Sequence, residues 1–200
     1  MEAVITTEMV KQLRDKTGAG MMDCKRALQE SDGDTDKAIE YLRKKGAATA
    51  AKRSDKETNQ GVVEAYVHAG GRIGSMVELN CETDFVAKTP EFKQLAHDIA
   101  MQIAAMTPRY ITRDQVSKEA VDKELEIYKA QAANEGKPAH IAEKIAQGRL
   151  EKFFQEVVLT EQSFIKDSGK TIKDLIDEQT AKVGEKISIR RFQRYHLGEG

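Results

Sequence analysis

Tryptophan is absent from this chain, aromatic residues make up only 6%, and there are just three prolines and two cysteines. Each shortage excludes something. Cys24 and Cys81 stand far apart in sequence and do not make a disulfide framework. No apolar run approaches the roughly 20 residues of a membrane-spanning helix. The opening MEAVITTEMV lacks a basic segment followed by an apolar one, so neither membrane nor export is expected. An excess of one charge is missing too: 32% of residues are charged, yet the formal net charge is -1. Bulk electrostatics therefore pull toward neither nucleic acid nor membrane, and any such binding needs a local patch. What is present is 40% hydrophobic residues in a chain of 200, a helix-rich globular composition long enough for a small module and a larger domain. A cytoplasmic protein is expected.

The first 54 residues read as a three-helix module. Thr6 or Thr7 caps the first helix, Met9, Val10 and Leu13 share a face, and Thr17-Gly18-Ala19-Gly20 stops it. Met21, Cys24, Ala27 and Leu28 recur at helical spacing in the second. The third starts at the Asp34 cap, carries Ala38, Ile39 and Leu42, and is expected to stop near Gly46, although Ala47-Ala48-Thr49-Ala50-Ala51 could extend it. Lys52 to Asn59 has no apolar residue and interleaves acids with bases, so it reads as a solvated linker.

Residues 55–200 read as one α+β domain. Gly61 to Asn80 is a β-hairpin turning at Ala69-Gly70-Gly71-Arg72, with Val63, Ala65 and Val67 alternating in its first strand. Thr89-Pro90-Glu91 opens a helix with a cap, a proline at the first position and a carboxylate near the positive dipole end. Phe92, Leu95, Ala96, Ile99, Ala100 and Ile103 mark its buried stripe. From about 117 to 157 two amphipathic helices flank Gly136-Lys137-Pro138, with Val121, Leu125 and Tyr128 facing Ile141, Ile145, Phe153 or Phe154, and Val157. Narrow apolar faces and charged flanks predict an antiparallel helical hairpin projecting as a coiled-coil arm. Thr171 caps a last helix closed by Gly184, and Ile187 to about Tyr195 supplies a third strand with a phase shift at Arg190-Arg191.

Chemistry-bearing patterns are few. Ser168-Gly169-Lys170-Thr171 resembles the end of a phosphate-binding loop, but Phe164 occupies the place of its required first glycine. His68, His97, His140 and His196 are scattered, with no metal-ligand spacing. Cys81 lacks a visible base, so no metal, cofactor or covalent catalysis is expected. Arg190, Arg191, Phe192, Arg194 and Tyr195 interleave base and aromatic, as a single-strand nucleic-acid surface would, or as a protected sheet edge would. Between the second strand and the Pro90 helix, Asp84-Phe85 puts an aromatic at the tip of a connection. Phe85 either tucks under its own loop or is a probe presented to a partner.

Two stretches read together resemble the elongation factor Ts family: Val10-Lys11-Gln12-Leu13-Arg14-Asp15-Lys16-Thr17-Gly18-Ala19-Gly20-Met21-Met22-Asp23-Cys24-Lys25, and Asn80-Cys81-Glu82-Thr83-Asp84-Phe85-Val86-Ala87-Lys88. His68-Ala69-Gly70-Gly71-Arg72-Ile73-Gly74 and the stretch from Gly136 to Lys144 match as well. The resemblance implies a guanine-nucleotide exchange factor for elongation factor Tu, bound in its GDP or nucleotide-free state, without direct nucleic-acid or membrane contact. Long members carry two copies of the core, so this chain resembles a short form, for which a homodimer is implied. The N-terminal module then resembles ubiquitin-associated domains, and Arg14, Met21 and Met22 meet the partner's nucleotide-binding domain. Thr83, Asp84, Phe85 and Val86 disturb the partner's Mg²⁺ site, and His68 meets another domain of the partner. An exposed Phe85 in the free protein argues for a preformed wedge, a buried one for a loop that opens on binding.

Overall fold

The structure, a computed structural model, describes residues 4–136 and 138–199. Lys137 of the expected hairpin turn, and the first three residues of the N-terminal module, lie outside the described residues. Eight α-helices, a three-stranded antiparallel sheet and a two-stranded sheet make an α+β fold among the described residues.

Local capping sets the first three helices. The Thr6 hydroxyl accepts from Met9 N–H at the start of α1 (Thr7–Thr17), and Gly18 closes it at φ 67°. Helix α2 (Met21–Glu30) follows, then α3 (Thr35–Lys52), where the Asp34 carboxylate accepts from the amides of Asp36 and Lys37. Val10, Leu13, Cys24, Ala27, Leu28 and Ala38 form the core of these helices. Helix α3 does not stop near Gly46 but runs to Lys52. Gly46 is buried where α3 approaches α8 (Ile172–Val183), with a Cβ there meeting the Asp177 carbonyl at 3.6 Å. The site takes a small residue between the two helices, and Arg43 adds a 2.9 Å ion pair to Asp174 on α8.

The stretch expected to be a solvated linker is tethered. Arg53 pairs with Glu82, the Lys186 ammonium donates to the carbonyls of Ser54 and Lys56, and Thr58 shares a 2.8 Å hydrogen bond with Ser188. The linker sequence is polar because it runs at the surface, and those same polar groups bind it to the fold.

Strands β1 (Gln60–Val67) and β2 (Ile73–Cys81) form the hairpin, Gly70 and Gly71 taking positive φ in its turn. Strand β2 is central and buries Ser75, Val77, Leu79 and Cys81 on one face. Val63, Ala65 and Val67 do share a face of β1, but it is the exposed one; Val62, Glu64 and Tyr66 face inward. The buried stripe of α5 (Pro90–Met106) is the expected set, Phe92, Leu95, Ala96, Ile99, Ala100 and Ile103.

Helices α6 (Lys118–Asn134) and α7 (Ala139–Val157) pair as a hairpin. Its seam near the turn is built of alanines, Ala132, Ala142 and Ala146, while Ile141, expected in the seam, is exposed. Alanine packs helix against helix closely, and its neighbour in the α7 register is turned outward. At the base, Phe154, Val157, Val158 and Val116 cluster, and Arg113 lies 4.1 Å over the Phe154 ring while pairing with Glu151 and Glu161. Two short strands, β3 (Ser163–Phe164) and β4 (Asp167–Thr171), pair antiparallel before α8. Ser168 to Thr171 is therefore strand, not a phosphate-cradling loop. Strand β5 (Ser188–His196) lies beside β2, and Arg190 and Arg191 are exposed in succession, where the phase shift was expected.

The chain gathers into two compact units. One holds residues up to Glu64, Val77–His97 and Asp174–Arg190; the other holds Ala65–Met76, Asp98–Lys173 and the chain from Arg191 on.

Candidate functional site

Strand β2 ends at Cys81, and the backbone then winds into one helical turn, α4 (Asp84–Ala87). The stretch expected to be an open loop is thus a turn with a fixed frame. Val86 and Ala87 are buried beneath it, and Phe85 points outward with 80% of its surface exposed. On the far side Thr89 bonds twice, its hydroxyl donating to the Val86 carbonyl at 2.8 Å and accepting from Phe92 N–H at 3.3 Å. The same residue therefore ends the turn and caps α5.

The near side is held differently. Thr83 is the N-cap residue of α4, yet its side chain makes no capping bond. Instead its hydroxyl donates to Glu185 Oε1 at 2.7 Å and its amide to Glu185 Oε2 at 3.0 Å. The relation is reciprocal, because Glu82 Oε1 accepts from the Lys186 amide at 2.6 Å. Each glutamate thus binds the backbone of the residue after the other. Arg53 completes the clasp with two 2.8 Å bonds to the Glu82 carboxylate. These bonds hold Glu82 below the ordinary carboxylate range, the Arg53 guanidinium first and the Lys186 amide second.

Cys81 sits under the clasp, fully buried, its thiol donating to the Thr83 carbonyl at 3.1 Å. Burial, and then the charge of Glu185, pushes its pKa to about 11. A thiol so protonated is a poor nucleophile at neutral pH. Asp84 is half exposed and pairs with Lys88 one turn on, which lowers its pKa.

Arg14, Met21 and Met22 lie in the same compact unit as Thr83 to Val86. All three are exposed, Met21 at 41% and Met22 at 69%. Gly20, extended at φ -62° and ψ 145°, starts α2 so that Cys24 turns inward and the two methionines outward. His68 belongs to the other unit, exposed in the hairpin turn with its Nδ1 3.0 Å from the Tyr66 hydroxyl. On β5 the basic and aromatic side chains separate: Arg194 donates to the Ala104 carbonyl and to Glu199, while Tyr195 is 67% exposed. Among the described residues no three His, Cys, Asp or Glu side chains gather as a metal site, and no helix is long and apolar enough to cross a membrane.

Sequence reading missed Glu185, Glu82 and Arg53. A signal existed in the topology: a third strand beside β2, running antiparallel, brings the residues before β5 to the end of β2.

Comparison with known proteins bears on the whole chain. The family model described as Elongation factor TS matches residues 6–199. Elongation factor Ts of Carboxydothermus hydrogenoformans is 63% identical over 197 residues, covering 98% of this chain and 91% of the relative. Elongation factor Ts of Moorella thermoacetica is 60% identical over 197 residues, covering 98% and 97%. That of Syntrophomonas wolfei is 60% identical over the same length, covering 98% and 92%. With the family model matching residues 6–199 and these relatives 60–63% identical over nearly its full length, the chain belongs to the elongation factor Ts family of protein-synthesis factors.

Proposed function

We propose that this protein is a guanine-nucleotide exchange factor that binds elongation factor Tu, GDP-bound or nucleotide-free, in the cytoplasm and speeds GDP release without a covalent step. The observation that carries this reading is the Phe85 ring, 80% exposed on a turn held from both sides. Burying a phenylalanine is worth about 1.5–3 kcal/mol, so a ring fixed in water is accounted for by a partner that buries it. The exposed ring supports a wedge formed before the partner arrives.

In this mechanism Phe85 presses on the partner segment that carries the Mg²⁺ ligands, with Thr83, Asp84 and Val86 shaping the contact. Mg²⁺ tolerates little departure from octahedral geometry, and its loss leaves the GDP phosphates uncompensated. Each tenfold weakening of GDP requires about 1.4 kcal/mol, and GDP must weaken this protein's binding by the same factor. Arg14, Met21 and Met22 hold the partner's nucleotide-binding domain; flexible thioethers pack on an apolar groove with little demand on shape. His68 meets a second domain. Residues 1–54 act as a ubiquitin-associated-like module and 55–200 as the core, whose exposed Ala65, Val67, Met76 and Tyr195 fit a homodimer of this short form.

The test is release of labelled GDP from purified elongation factor Tu. The protein accelerates release, and Phe85→Ala removes most of the acceleration while melting like the parent. Full acceleration by that variant would refute the wedge.

A further inference from the structure

The Phe85 side chain is apolar and mostly exposed, so the turn that carries it sets where the ring is presented. That turn has an unusual near side. An N-cap threonine ordinarily accepts from the amides that follow it, but Thr83 instead gives both its donors, hydroxyl and amide, to one carboxylate 102 positions away in sequence. Glu185 thus takes the amide and the hydroxyl of the residue at which α4 begins, while the Thr83 carbonyl accepts from the Cys81 thiol and the Ala87 amide. The far side is held independently by Thr89, and the floor by buried Val86 and Ala87. Removing the near-side bonds alone leaves the Thr89 bonds and the buried floor intact.

We infer that Glu185 is a positioning residue for exchange: by accepting from the Thr83 amide and hydroxyl it aims the Phe85 ring, and it acts on the partner only through that ring. The inference rests on the wedge reading of Phe85. Glu185 is half-buried behind the turn and is offered no place in the contact itself. Its partner in the clasp, Glu82, is held separately, by Arg53 and by the Lys186 amide.

The experiment is a double-mutant cycle on stimulated GDP release, with the full chain as parent, Glu185→Ala, Phe85→Ala and the double variant. Glu185→Ala is expected to lower the rate at saturating exchange factor about tenfold, with the half-saturating concentration moved less than about threefold, because aim is lost and surface is kept. In the Phe85→Ala background the same change is expected to do nothing more. Glu185→Gln, which keeps one of the two acceptor oxygens, gives a smaller loss of the same kind and runs the same cycle should Glu185→Ala fail to fold. Equal losses in both backgrounds would mean a general structural role and overturn the inference. So would a parent-like rate for Glu185→Ala beside a slow Phe85→Ala. A fast Phe85→Ala would instead overturn the wedge reading itself, and the inference with it.

Discussion

Arg53 meets Glu82 through two parallel bonds, Nε to Oε1 and Nη2 to Oε2, both 2.8 Å, joining the end of α3 to the end of β2. The pair is a planar two-pronged contact, the geometry in which guanidinium and carboxylate bind most strongly. It fastens the tract that composition marks as a linker, and it stands one residue from the turn that presents Phe85.

This pair gives a pH prediction. Glu82 is held below its ordinary value of 4.5, by Arg53 first and the Lys186 amide second. A folded-state pKa below the unfolded one contributes stability above the unfolded value and loses it as pH falls through the folded one. The melting temperature of Arg53→Met should thus lie below the parent's at neutral pH, and the gap should close as pH drops below 4.5. Thermal melts across that range check it; a constant gap would mean that the contact acts through packing alone.

Gly46 yields a prediction of the opposite sign. A Cβ there would meet the Asp177 carbonyl at 3.6 Å and the Ala181 Cβ at 3.8 Å, ordinary van der Waals distances. Alanine therefore fits, and in a helix interior it is favoured over glycine by about 0.8–1 kcal/mol. Gly46→Ala should stabilise the protein by about that amount in a urea titration. Gly46→Leu should destabilise it, since a longer side chain forces α3 away from α8.

These two sites also show what the sequence carries. Thr6, Asp34 and Thr89 announce their helices because a cap bonds within three residues of itself. The α5 stripe was legible because a single period governs it. Gly46 lends itself to two readings, because a glycine that stops a helix and a small residue set between two helices look alike along the chain. Phase in β1 is ambiguous because its inward face, Val62, Glu64 and Tyr66, is no more apolar along the chain than the exposed Val63, Ala65 and Val67. Phe85 and the methionines were found through the family signatures, whose residues are contiguous. The clasp behind Phe85 is not legible in this way, because its glutamates are separated by more than a hundred positions and nothing in the signature that holds Glu82 points to Glu185.

Gly61 is a stricter case than Gly46. A Cβ built on it would stand 2.2 Å from the Leu79 carbonyl and 2.8 Å from the Asn80 Cα, both backbone atoms of the neighbouring strand. Neither can move without breaking the ladder that ends at the Glu82–Thr83 turn. Gly61→Ala should cost about 1–3 kcal/mol, the usual range for overpacking, seen as a lower urea midpoint. It should also lower the exchange rate, because the strand end that carries the turn is displaced.

Met21 and Met22 separate binding from folding. The core beneath them is closed by Cys24, Ala27 and Leu28, so truncating two exposed thioethers removes little from it. Replacing both by alanine should leave the melting temperature within about a degree, as surface changes usually do. The affinity for elongation factor Tu should fall by about 2 kcal/mol, roughly thirtyfold in Kd, if both side chains are buried in the complex. Calorimetry of the free variant and of its titration into nucleotide-free elongation factor Tu reads both quantities. Unchanged affinity would remove α2 from the contact and leave the Phe85 turn as the anchor, whereas a lower melting temperature with unchanged affinity would make the methionines part of the module's core.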